Sequence, residues 1–168
     1  MNNTKINYKK NYRIKGDIMK RILIMLLSVF IVTGGYGQNL RNVLHHISVI
    51  ETKPLSAQAD IAYEKVLKFA TISDKVTVKI DAKLCPSLKY RNIKTKWSAL
   101  LIGSFIAGNI KPQILKRIKK NHGYEGLLLS LNTYLKIKRV DENFKIKEME
   151  KFLKLKAEKK LRIFILKK

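Results

Sequence analysis

The chain has 168 residues, with 36 Lys and Arg against 12 Asp and Glu, a formal net charge of +24. That length allows one domain, or at most two. The single cysteine, Cys85, excludes an internal disulfide framework, and the cationic excess directs attention to phosphate-bearing or otherwise anionic partners.

Residues 1–18 are polar and carry no sustained helical or strand period. Met19, Lys20 and Arg21 would themselves begin an ordinary export signal, so 1–18 read as an over-extended or disordered leader, with Met19 as the initiator. An uncharged run from Ile22 to Val32 follows, and Gly34, Gly35, Tyr36 and Gly37 close it. Basic pair, short apolar run and small-residue exit together read as a signal peptide over 19–37. The run is too short for the roughly 20 residues that a spanning helix needs. Cleavage after Gly37 makes Gln38 the first mature residue, and the product is expected in the periplasm or outside the cell. The leader removes seven cations and one acid. The mature part, 38–168, keeps 29 cations and 11 acids, a net of +18, and no transmembrane helix is expected in it.

The mature part reads as one mainly α domain of about five helices, with one short extended or β segment near 75–84. Leu40, Val43, Leu44, Ile47 and Ile50 predict a helix over about 40–50. Pro54 suits the first position of the next helix, which runs to about Ala70 on Leu55, Ala59, Ala62, Val66 and Phe69. Over 75–84 the period changes to two: Val76, Val78, Ile80, Ala82 and Leu84 alternate with polar residues, the pattern of a half-buried strand. Its only candidate partner is Leu161–Leu166. Pro86 opens a loop to about Lys94.

Thr95 can cap a helix over 96–109, apolar nearly all round and hence buried, with Gly108 and Asn109 ending it. Trp97 and Phe105 share one of its faces. Pro112 restarts a short helix to about Lys120, and Asn121 to Gly123 form a turn. Tyr124, Leu127, Leu128, Leu131, Tyr134 and Leu135 predict the next helix. A last helix runs from about Ile146 to Leu161 or beyond, with Glu150/Lys154 and Glu158/Arg162 as supporting pairs.

Chemistry-bearing motifs are scarce. His45 and His46 are neighbours, about 100° apart on a helix, and no carboxylate stands three or four residues away on the same face, so no metal site is expected. Cys85 could act as a nucleophile only with His122, which nothing in the sequence places beside it. The spacing Gly103 to Gly108 resembles a phosphate loop, but Asn109 and Ile110 stand where Lys and Ser/Thr are required. No cofactor is expected, and the chain leans away from catalysis. One anomaly is left: residues 82–124 hold no acid and ten cations. Within it, Lys111, Lys116, Arg117, Lys119 and Lys120 are the candidate anion-binding residues. A helix-turn-helix could be drawn through 112–138, but its second helix offers few base-reading side chains. The resulting reading is an exported basic helical protein that binds an anionic envelope surface or another envelope protein. A nucleic-acid binder and an exported hydrolase without a familiar motif are the alternatives.

Overall fold

The computed structural model describes residues 40–90 and 95–166. The expected over-extended start, the expected signal peptide and its expected cleavage site all lie outside the described residues. These residues belong to one unit, Gly37–Lys168, and they form six α-helices: α1 (Leu40–Thr52), α2 (Ala57–Ile72), α3 (Thr95–Lys116), α4 (Gly123–Lys138), α5 (Lys147–Ala157) and α6 (Leu161–Leu166). A short 3-10 helix, Pro86–Tyr90, precedes α3.

The period of three and four residues that builds α1 buries Val43, Ile47 and Ile50. α2 begins at Ala57, not at Pro54. Ser56 is its N-cap, and its hydroxyl accepts the Ala59 N–H at 3.2 Å. α2 buries Ala59, Ala62, Tyr63, Val66 and Phe69. These side chains join those of α1 and one flank of α3, including Ile106, Ala107, Ile110 and Ile114, in a first apolar cluster. Leu101 and Phe105 of α3 belong to a second, with Leu127, Leu131, Tyr134, Phe144, Ile146, Met149 and Phe152. α3 therefore separates and serves two cores, which is why it is apolar nearly all round.

Gly108 and Asn109 do not end α3, which continues through Pro112 to Lys116. A proline inside a helix costs about 3 kcal/mol. Burying Ile110 and Ile114 on either side of it returns about 1.5–3 kcal/mol each, so continuation wins. Gly108 serves a different purpose. A Cβ there would stand 2.6 Å from the Glu125 carbonyl oxygen, and one at Gly126 would stand 2.6 Å from that of Phe105. The two glycines let the α3 and α4 backbones touch. The rest of the seam is small and hydroxylated: Ser130 donates to the Leu101 carbonyl at 3.0 Å, and Ser104 lies 2.8 Å from both Thr133 Oγ1 and Tyr63 Oη.

The strand expected over 75–84 does not form. Residues 76–81 are irregular, without a strand partner among the described residues, and a turn lies on either side of them. Its backbone is met by side-chain amides instead. Thr77 N–H donates to Gln113 Oε1 at 2.9 Å, Gln113 Nε2 donates to the Thr77 carbonyl at 2.8 Å, and Lys79 N–H donates to Asn121 Oδ1 at 2.8 Å. Those bonds satisfy the polar groups that a neighbouring strand would have paired. Leu161–Leu166, the other run with strand chemistry, is helical. The last helix is broken at Lys159, which adopts φ 58°. Glu150 does not pair along its helix. It crosses to α4 and accepts from Lys138 Nζ at 2.7 Å, while Glu158 accepts from Lys160 at 3.0 Å.

Candidate functional site

α3 ends in a fixed hook. Arg117 takes the left-handed conformation, φ 54°. The Ile118 N–H reaches back to the Gln113 carbonyl at 3.1 Å, and the Lys120 N–H donates to the Ile118 carbonyl at 3.0 Å. Such a six-to-one bond closes a helix C-terminus. The chain then turns at Asn121, whose Oδ1 accepts from Asn109 Nδ2 at 2.8 Å, while Asn109 Oδ1 accepts the His122 N–H at 3.0 Å. The buried amides of Asn109 and Gln113 thus hold the base of the hook, and its tip, Leu115 to Lys120, stands in solvent. Leu115 and Ile118 are 61% and 53% exposed, far beyond what core leucines and isoleucines show.

Eight of the ten cations of the acid-free span are among the described residues, and those eight do not form one patch. Lys111 is held by Glu51, with both oxygens within 2.7 Å, beside the end of α1. Lys89 pairs with Glu148 at 3.3 Å, and Lys96 lies over the Trp97 ring at 4.6 Å. Of the five candidate residues, the structure brings Lys116, Arg117, Lys119 and Lys120 together on the exposed tip and sets Lys111 apart. The C-terminal dipole of α3 favours cations within its last turn, which accounts for Lys116 and Arg117. Lys119 and Lys120 lie beyond that reach.

Sequence reasoning passed over the amides that build this base. The available signal was Asn109 and Gln113, four residues apart on one face of the most apolar part of the chain. A polar pair there needs partners, and Gln113 Nε2 donates to Asn109 Oδ1 at 2.9 Å. A groove of 430 Å³ runs beside the hook, lined by Leu115, Pro112, Leu128 and Leu129 and by the Glu51–Lys111 pair. A smaller recess of 270 Å³ lies on the other side, between Asn121, His122, Tyr124 and the end of α6.

His45 and His46 have ring centroids 5.9 Å apart. Partial burial, then His45, then Lys65 lower the pKa of His46. His122 Nδ1 faces Glu125 at 3.5 Å. Cys85 is fully buried, 3.3 Å from Ser87 Oγ, and burial pushes its thiol up to about 11, so it is protonated at neutral pH. Among the described residues, no three His, Cys, Asp or Glu stand close enough to hold a metal ion, and no helix is long and apolar enough to cross a membrane. No protein-family model, curated protein or solved structure matches the chain.

Proposed function

We propose that the chain is exported, with cleavage near Gly37, and that it acts without catalysis by binding an anionic surface of the cell envelope through the tip of α3. The observation that carries this reading is the tip itself: Lys116, Arg117, Lys119 and Lys120 exposed in succession, on a hook held from below by Asn109, Gln113 and Asn121. Near an anionic membrane each such cation contributes about 1 kcal/mol. Four together reach about 4 kcal/mol, enough for reversible binding. The basic pair and apolar run at 20–32 support export. Nucleic acid suits the tip less well. It offers one arginine fork among three point-charge lysines, and no aromatic ring between Leu115 and Lys120 on which a base could stack.

The test is retention on heparin at low salt. Reversing Lys116, Arg117, Lys119 and Lys120 to Glu should lower the eluting salt concentration more than reversing Lys145, Lys147, Lys151 and Lys154, which are also exposed. Both sets change the net charge by the same amount. Equal losses would leave a diffusely basic protein and remove the tip as a site.

A further inference from the structure

We infer that the surface taken by this tip is a lipid bilayer carrying anionic headgroups, with Leu115 and Ile118 entering the headgroup layer and the four cations engaging the lipid phosphates around them. The inference rests on the reading above and names its partner. A polyanion calls only for cations, yet two of the six tip residues are large aliphatics exposed by 61% and 53%. Ile118 stands between Arg117 and Lys119, and Leu115 directly precedes Lys116, so an apolar phase that they entered would have positive charge beside it. That combination marks the segments that lie in a membrane interface, buried by about 5–10 Å. Two acids, Glu51 and Glu125, line the groove beside Leu115, and none belongs to the tip itself. The chain has none between Asp81 and Glu125. Glu125 turns towards His122, and Glu51 is held by Lys111. The apolar edge continues beyond the hook: Leu166, 69% exposed, lines the recess that Asn121 also lines, directly after Lys120. The left-handed turn at Arg117 and the amide base fix the hook before contact, so docking requires little ordering.

The experiment uses the full chain with an environment-sensitive fluorophore attached through Ile118→Cys. The native Cys85 is buried and protonated and does not compete for the label. Val140→Cys provides the comparison. Val140 is 64% exposed, beyond the far end of the 16-residue α4, and so about 24 Å or more from the tip. Vesicles of mixed phosphatidylglycerol and phosphatidylcholine should shift the emission at position 118 to the blue and leave position 140 unchanged. Pure phosphatidylcholine vesicles and heparin should shift neither. Adding the four Glu reversals to the Ile118→Cys protein should reduce the shift at least tenfold at a given lipid concentration. Equal shifts at both positions, or a shift with heparin equal to that with vesicles, would overturn the inference. So would sedimentation with the vesicles without any shift at 118. In that last case an unequal heparin result would still uphold an anionic-surface site, so the two readings fail separately.

Discussion

Glu150 does more for the second core than its place on α5 suggests. Its Oε1 accepts from Lys138 Nζ and from Tyr134 Oη, both at 2.7 Å, and Tyr134 Oη in turn accepts the Ile146 N–H at 3.1 Å. The bonds from Lys138 and Tyr134 hold the Glu150 carboxyl below its ordinary range, and burial together with the Glu150 bond pushes the Tyr134 hydroxyl up. A carboxylate with a depressed folded-state pKa contributes stability above its unfolded value and loses that contribution as the pH falls through the folded one. Urea unfolding followed from pH 7 to pH 3 should therefore show a loss of stability below the usual carboxylate range, and Glu150→Gln should flatten part of it. Partial exposure keeps the effect modest. Phe105 offers a larger signal. It is fully buried, and Phe105→Ala should cost about 3–5 kcal/mol by chemical denaturation. Trp97 shares its face in the sequence, which predicts an equal loss, but the structure separates them. Trp97 is half-buried at the start of α3, with Lys96 over its ring and its Nε1–H donated to Asp141 at 2.7 Å. Trp97→Ala should cost less than Phe105→Ala by about 1 kcal/mol or more.

The same separation explains which elements were legible. α1, α2, α4 and α5 follow from apolar spacing, because one buried face imposes the period of the helix on the sequence. The breaks were harder to see. α3 and α5 each end on a left-handed residue with a bond five residues back, yet the residues there are Arg117 and Lys159, where glycine would have announced a stop. Conversely, Gly108 looks like punctuation and is, like Gly126, an interior contact. Alternation over 75–84 predicted a half-buried strand, but only Val76 is buried and Val78 half-buried, Ile80 and Ala82 are exposed, 82–84 is a turn, and amide side chains meet the backbone that a strand would have paired. Of the tip, the cations were legible; of its base, the Asn109–Gln113 spacing was on view, but the join to Asn121 forms only on folding. Two substitutions test these assignments. A left-handed L-residue costs about 1–2 kcal/mol, and glycine's extra chain entropy offsets about 0.5–1. Lys159→Gly should therefore stabilise the protein by about 0.5–1 kcal/mol in thermal or urea unfolding. Gly126→Ala should destabilise it by about 1–3 kcal/mol, because its methyl group meets the Phe105 carbonyl, a backbone atom that cannot step aside.

At the scale of the whole molecule, charge acts on folding and on binding with opposite signs. If export proceeds as proposed, intact mass of the exported protein should give Gln38 as its first residue, and a full-length soluble species in that fraction would contradict it. Residues 38–168 then carry a net +18, which repels itself in the folded state and lowers stability when salt is low. Raising the ionic strength from about 0.01 M to 0.15 M shortens the screening length from about 30 Å to about 8 Å. Thermal stability should rise across that range while retention on heparin or anionic vesicles falls. The two sets of four Glu reversals sharpen the contrast. Each removes four cations and adds four acids, so each relieves self-repulsion to a similar degree, and both should raise the low-salt melting temperature. Only the set at Lys116, Arg117, Lys119 and Lys120 should at the same time lose most of the binding. If binding followed melting temperature across both sets, net charge alone would govern both, and the hook at the end of α3 would have no part of its own.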